Sequence, residues 1–438
     1  MQIIRTEKLH IDTKQRYQTV DGFGVNINAK LYNQGELRPV VDYLIDDLGA
    51  TLFRMDTYGN ANWIDPNNTL TPSEALSRAH LDRIYQTPPF QSGLALARHL
   101  NIRGIEPYLT ISGTVPAWMC TDDGKTLLRY DFYAEMVADY VQWMRHSGIQ
   151  FRLLSPLNET DFGPPEGPAL DPNGFRLACR AVLAALDARG MQDVSLVVAE
   201  QGDHRTPFAA SVLTDAILQP RIAVFGMHNY WDLSMQQQVA YQKETAPQAH
   251  FWMTEFGDLS QIPQQEDSIA WRIFQRLCRL LQDGMQGALV WDAFDNYHDH
   301  DQQWTCYGIL HTGLSLYNPK KRYYALKHVF RYVRPGFVRI GAMCSAPEIP
   351  VLAFSDTTGQ QLTLVGCNPT NEGIFLDFDL QLSGSAVAQY HAFDVYRTAA
   401  YEDCARVSTH TIRLDNRDCS GMHFTALPHS IFTVTNVQ

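Results

Sequence analysis

Two glutamates stand where apolar runs give way to polar residues: Leu157-Asn158-Glu159-Thr160-Asp161 and Trp252-Met253-Thr254-Glu255-Phe256-Gly257. A pair of carboxylates is the equipment for breaking an acetal, because one gives the departing oxygen a proton while the other attacks the anomeric carbon. Cleavage with retention needs the two about 5–5.5 Å apart. The first must keep its proton and the second must stay ionised. Arg54, in Ala50-Thr51-Leu52-Phe53-Arg54-Met55, supplies a positive charge to hold Glu255 as a carboxylate, while desolvation and the neighbouring anion would keep Glu159 protonated. Taken singly, each glutamate reads as an ordinary salt-bridged surface residue. An Asn directly before one, after an apolar strand, and an aromatic-rich strand before the other make the pair hard to reach by accident.

Something must bring residues so distant in sequence together. Short apolar runs alternate with amphipathic stretches from about residue 20 to 330. The runs are Thr19–Gly24, Ala50–Met55, Ile105–Thr110, Phe151–Leu157, Val194–Ala199, Ile222–Met227, His250–Thr254 and Gln286–Trp291. Between them lie helical faces: Leu37, Val40, Val41, Leu44 and Ile45 before Gly49; Phe132, Met136, Tyr140 and Met144 before Gly148; a helix ending near Gly190; another around Ala209–Leu218; and Ile269, Ile273, Leu277 and Leu281. Eight βα units over about 250–300 residues favour a closed (β/α)8 TIM barrel over an open doubly wound sheet. In such a barrel chemistry gathers where strands end. Glu159 follows the fourth strand and Glu255 the seventh, so they face each other across the mouth. Strand ends also deliver Arg54 and Asp56, His228-Asn229-Tyr230-Trp231, and Trp291-Asp292. After residue 335, Ile374, Leu376, Phe378, Leu380 and Leu382 alternate with polar residues, and turn signals separate similar runs. That period of two predicts an antiparallel β-sandwich of about 100 residues.

Composition narrows the partners. The chain has 438 residues, 45% hydrophobic, enough for a large domain and a smaller one, and its formal net charge of −12 argues against a nucleic-acid backbone. Eight cysteines lie scattered without a CxxC pair, which is neither a zinc signature nor a disulfide scaffold. No GxGxxG or Walker lysine suggests a nucleotide, and no cofactor is expected. No apolar run reaches the ~20 residues of a membrane helix. Met1-Gln2-Ile3-Ile4-Arg5 lacks the character of a secretory signal, so a cytoplasmic location is the expectation. With 8 Trp and 20 Tyr, rings near strand ends, Trp118, Trp231, Trp291 and Trp304, suit a platform for sugar rings as well as core packing. His298-Asp299-His300-Asp301 invites a metal reading, yet a polar loop after the last strand explains it equally; Asp295 and Asn296 share that loop. Glu106, Glu166 and Glu200 are rival carboxylates. Glu200 directly follows the fifth strand and reads as a substrate contact or structural group.

At these residues the sequence resembles clan A glycoside hydrolases, and within them glycoside hydrolase family 30 or a sister family. The clan pattern is matched by Asn158-Glu159 and by Glu255. Further likeness lies in Gln18-Thr19-Val20-Asp21-Gly22-Phe23-Gly24, in Pro116-Ala117-Trp118-Met119, and in Tyr323-Tyr324-Ala325-Leu326 through Arg334-Pro335-Gly336-Phe337-Val338-Arg339-Ile340. Thr160 departs from the proline usual after the acid/base. The resemblance implies three segments: residues 1–18 joining the sandwich, 19–333 as catalytic barrel, 334–438 as sandwich. It also implies roles, with Glu159 as acid/base, Glu255 as nucleophile, Asn158 bonding the sugar 2-hydroxyl, Arg54 supporting the nucleophile, Trp291 lining the −1 subsite, and His228 or Tyr230 near the nucleophile. Asp56, Trp118 and Asp295 complete the expected substrate-binding set. The expectation is a retaining β-glycosidase acting on a carbohydrate. Two alternatives stand beside it: a metal-dependent hydrolase using His298, His300 and His228, and a non-catalytic carbohydrate-binding barrel. Sugar, linkage, exo or endo action and oligomeric state stay open.

Overall fold

The computed structural model describes every residue except 1–2, 58–61, 203–206, 261, 263–264, 296–305, 313–316, 371–373, 384–391 and 412–418. The first strand, β1 (Ile3–Thr19), belongs to no barrel. The eight that follow do: β2 (Gly22–Asn28), β3 (Leu52–Asp56), β4 (Tyr108–Thr110), β5 (Leu153–Ser155), β6 (Ser195–Gln201), β7 (Ile222–Asn229), β8 (His250–Phe256) and β9 (Gly287–Val290). Each pairs in parallel with the next, and β9 closes on β2 through Gly22 opposite Gly287. The closed TIM barrel is therefore observed, not the open sheet.

The strands sit up to four residues from where the apolar runs placed them. The first barrel strand starts at Gly22 instead of Thr19 because Thr19 still pairs with Val338 in the other domain. Gly22, at φ +148°, makes the passage between the two sheets. At Gly24 the chains approach so closely that a Cβ would lie 1.7 Å from the Leu52 carbonyl oxygen, so only glycine fits.

Helices cover the barrel with the faces expected. The helix Glu266–Asp283 buries Ile269, Ile273, Leu277 and Leu281, carries Glu266 and Asp267 in its first turn, and stops at Gly284 in the left-handed region. The helix expected around Ala209–Leu218 is shorter, Pro207–Leu213. The Asp215 carboxylate accepts the backbone N–H of Ile217 and Leu218 and so replaces the helical hydrogen bonds there.

Beyond the barrel come a short hairpin, β10 (Leu310–Thr312) and β11 (Tyr317–Pro319), and then the second domain. Its strands are β12 (Val338–Cys344), β13 (Val351–Ser355), β14 (Leu362–Asn368), β15 (Ile374–Ser383), β16 (Ala392–Ala399), β17 (Glu402–Thr411), β18 (Cys419–Ala426) and β19 (Ser430–Thr435). With β1 they form one sheet in the order β17-β16-β19-β14-β13-β12-β1-β15-β18. All its pairs among the described strands are antiparallel except one: β1 runs parallel to β15, Leu9 beside Leu380. The sheet folds over itself, so that Phe424 of β18 meets Phe432 of β19 with ring centroids 5.1 Å apart. Leu9, Ile11, Ile340, Leu364, Val395 and Val434 fill the space between the layers. This is a β-sandwich made from a continuous sheet. It docks on the barrel where His328, fully buried, bonds Thr433 and Thr398 and is held neutral by that burial.

Candidate active site

Inside the barrel two layers differ sharply. Low in the barrel Tyr108, Val197, Val224, Trp252 and Leu289 pack on one another. Above them Arg54 is wholly buried, with 0% of its surface exposed. A guanidinium in such a place must have its charge and donors met. Nη1 donates to Glu255 Oε1 at 2.7 Å and to Asn26 Oδ1 at 2.8 Å. Nη2 donates to Asn158 Oδ1 at 2.6 Å and to Glu200 Oε2 at 3.2 Å. Asp56 lies 3.5 Å from Nη1 and also accepts the Ser112 hydroxyl.

Strict alternation would not have aimed these carboxylates inward. Trp252 packs in the barrel, and the Thr254 side chain faces the inner face of Gly226, so Glu255 should point to the helices. The register between β7 and β8 slips after Met227, placing His228 opposite Glu255. Glu200 turns in by a similar slip between Ala199 and Gln201, taking a left-handed φ of +51°. Irregularities of this kind commonly re-aim side chains beside functional sites.

The two glutamates meet at His228. Its Nδ1 lies 2.5 Å from Glu159 Oε1 and 3.5 Å from Glu255 Oε2. One atom from each of Glu159, His228 and Glu255 lies within 4.8 Å of the others. A nitrogen and an oxygen 2.5 Å apart require a proton between them, so this contact stores one. Tyr230 donates its hydroxyl to Glu255 Oε2 at 2.7 Å. Burial pushes the Glu255 carboxyl up to about 6, against the opposing pull of His228 and Arg54. Burial works against charge on His228, but Glu255 and Glu159 carry it up to about 9. Glu200 is also fully buried, which disfavours its charge, yet Arg54 and His228 hold it below the usual carboxylate range.

The structure thus gathers Glu159, Glu255, Asn158, Arg54, Asp56, His228 and Tyr230 into one network. Other expected residues have different surroundings. The indole of Trp118 donates to Asp65 at 3.0 Å and packs edge-on to Phe132. Asp295 is buried, with its two oxygens taken by Lys320 at 2.6 Å and His311 at 2.9 Å, which ties its loop to the β10–β11 hairpin. Trp291, half-buried, is fixed by its backbone N–H to the Phe256 carbonyl. Asn158 already gives its oxygen to Arg54, and its amide donates to the Glu166 carbonyl at 3.3 Å. Glu106 pairs with Arg152 at the start of β4, far along the strand from the mouth. His298, Asp299, His300, Asp301, Asn296 and Trp304 lie outside the described residues.

Sequence reasoning missed two members, Tyr108 and Asn26, and read Glu200 as a substrate contact or structural group. Tyr108 donates to Glu200 at 2.8 Å, Asn26 to the barrel carbonyls of Thr254 and Val290, and Glu200 itself holds Arg54 from behind. The Glu200 carbonyl also accepts the Glu159 N–H at 2.9 Å, so one residue braces both glutamates. Position at the end of β6 was the available signal for Glu200; a tyrosine within a buried strand gave none. As a metal centre the trio fits poorly. The Arg54 guanidinium sits 2.7 Å from Glu255, placing a fixed positive charge beside any cation.

Comparison with known proteins bears on the fold that carries this site. Over 262 residues the chain is 24% identical to the glucuronoxylanase XynC of Bacillus subtilis (strain 168), a match covering 59% of this chain and 57% of that protein. The chain resembles the family 30 glycoside hydrolases. Among solved structures, the family 30 subfamily 8 xylanase Xyn30A of Clostridium acetobutylicum superposes with a TM-score of 0.71 at 17% identity, covering 98% of this chain and 99% of that one. SrfJ from Salmonella typhimurium gives 0.72 at 16% identity, covering 99% and 93%. These likenesses establish the fold, a TIM barrel carrying a β-sandwich. The family 30 resemblance in sequence spans less than two thirds of the curated relative's length. No protein-family profile matches the chain.

Proposed function

We propose that the protein is a retaining glycoside hydrolase that cleaves a β-glycosidic bond in a carbohydrate by double displacement, without a cofactor. One observation carries this reading. Oxygens of Glu159 and Glu255, on loops or strands from opposite sides of the barrel, come within 4.8 Å with His228 between them. That gap suits direct attack on an anomeric carbon. An inverting pair stands about 6.5–9.5 Å apart to admit a water.

In the first step Glu255, kept anionic by Arg54 and Tyr230, attacks the anomeric carbon. The glycosidic C–O bond breaks, and Glu159 gives its proton to the departing oxygen. His228 holds that proton in place through the Nδ1–Oε1 contact until it is needed. In the second step Glu159 takes a proton from water, whose oxygen displaces Glu255 and regenerates the enzyme.

A panel of aryl β-glycosides of gluco, galacto, xylo, fuco and arabino configuration identifies the sugar. Glu255→Gln is expected to lower turnover on the order of 10³-fold or more. Glu159→Gln should slow poor leaving groups far more than activated aryl ones. Wild-type-like turnover by Glu255→Gln would end this assignment.

A further inference from the structure

The glutamate pair defines where the reacting bond lies, and two exposed rings lie to one side of it. Phe162 is three residues beyond Glu159, and its N–H bonds the Glu159 carbonyl at 3.0 Å, so ring and carboxyl share one turn. Trp231 is three residues beyond His228, and its N–H is held by Asn229 Oδ1 at 3.2 Å. The two rings approach across the loops after β5 and β7, centroids 6.5 Å apart at 46°. Large rings ordinarily bury, yet Phe162 is 56% exposed and Trp231 54%. Neither is loosely placed. A Cβ on Gly202 would lie 2.0 Å from the Phe162 ring, so Phe162 packs against bare backbone. Trp231 stands edge-on to Tyr230, the donor to Glu255.

Chemistry assigns a side to this pair. The proton on Glu159 goes to the departing oxygen, so the leaving group extends past Glu159. The opposite wall, with Asn26, Arg54 and Asp56, is polar and buried. We propose that Phe162 and Trp231 form the leaving-group subsite, selecting a departing group with a flat carbon face, either an aryl ring or the C–H face of a second pyranose. This rests on the reading of Glu159 as proton donor. The rings bury carbon surface that fluoride or methanol cannot supply, and they act while the bond to the leaving group is breaking.

The test compares leaving groups on one glycon. Once the aryl β-glycoside panel has named the sugar, wild type, Trp231→Ala, and the double variant Phe162→Leu with Trp231→Leu are assayed. The substrates are its β-fluoride, its 4-nitrophenyl β-glycoside and a disaccharide bearing it at the non-reducing end. The expected result is a fall of roughly tenfold in the ratio of kcat/KM for the ring-bearing substrate to that for the fluoride. Poorly folded protein lowers both values alike and leaves the ratio untouched. A larger fall with the 4-nitrophenyl glycoside marks an aryl subsite, and a larger fall with the disaccharide marks a sugar subsite. An unchanged ratio in both variants would overturn the proposal. Failure of wild type to hydrolyse any fluoride would instead overturn the glycosidase reading, and this subsite with it.

Discussion

The lower barrel layer, Tyr108, Val197, Val224, Trp252 and Leu289, packs chiefly by apolar contact, while the layer above holds Arg54, Glu200, His228 and Glu255, also buried. Both are almost wholly buried, Trp252 and Glu255 each keeping 6% of their surface exposed. The lower layer follows strand alternation; the upper breaks it at Glu200 and Glu255. An apolar layer tolerates small errors because each contact contributes little. A buried charged layer does not, since removing one partner leaves the others with unmet charge. The difference teaches where stability and function separate in a single interior. Tyr108 belongs to both layers, its ring below and its hydroxyl on Glu200.

The sharpest way to break the comparison is Arg54→Met. Glu200, Glu255 and Asp56 would then face each other with His228 as the one counter-charge the described network retains. Chemical denaturation should register a loss of about 3–5 kcal/mol, together with near-complete loss of turnover. A stable, active variant would show that the upper layer is no charged network at all.

A smaller effect comes from pH. Glu255 must be ionised to attack, so kcat/KM should rise as pH passes about 6. His228, bonded to Glu159, must keep its proton, so activity should fall as pH passes about 9. In Glu200→Gln a negative charge near Glu255 disappears. The ionised form of Glu255 is then favoured, and the acid limb should move to lower pH, with kcat/KM reduced roughly tenfold as Arg54 loses a partner. An acid limb that stays in place would separate Glu200 from the nucleophile.

The smallest change tests the lower layer. Trp252→Phe forfeits the indole hydrogen bond to Asp21 at 2.7 Å and some packing. The expected cost is about 1–2 kcal/mol in denaturant unfolding, with kcat/KM within about twofold of wild type. A large catalytic defect would mean that the layers are mechanically coupled.

Legibility in the sequence followed the same division. The eight strands and the helix Glu266–Asp283 could be read because their apolar residues keep a regular period. Glu159 and Glu255 were found by neighbours and strand ends, not by facing. Alternation would have sent Glu255 outward, and only the slip between β7 and β8 returns it. Glu200 was seen but ranked low for want of a sign that its strand turns there. Trp118 and Asp295 looked like substrate contacts from their loops, yet Asp65 and Lys320 engage them. Such pairings join residues about 25 or more positions apart, and no local pattern encodes them. Strand limits drifted for a similar reason, since pairing with a distant partner decides where β1 ends and β2 begins.

The opening strand carries one more consequence. Leu9 finds its antiparallel neighbour at Cys344 and its parallel neighbour at Leu380. During synthesis this strand emerges long before β12 and β15, the mates it must wait for. Until then its backbone donors and acceptors offer themselves to any passing edge. A stalled or clipped polypeptide ending before β12 would expose that ribbon permanently, making incomplete copies prone to aggregation and marking them for clearance.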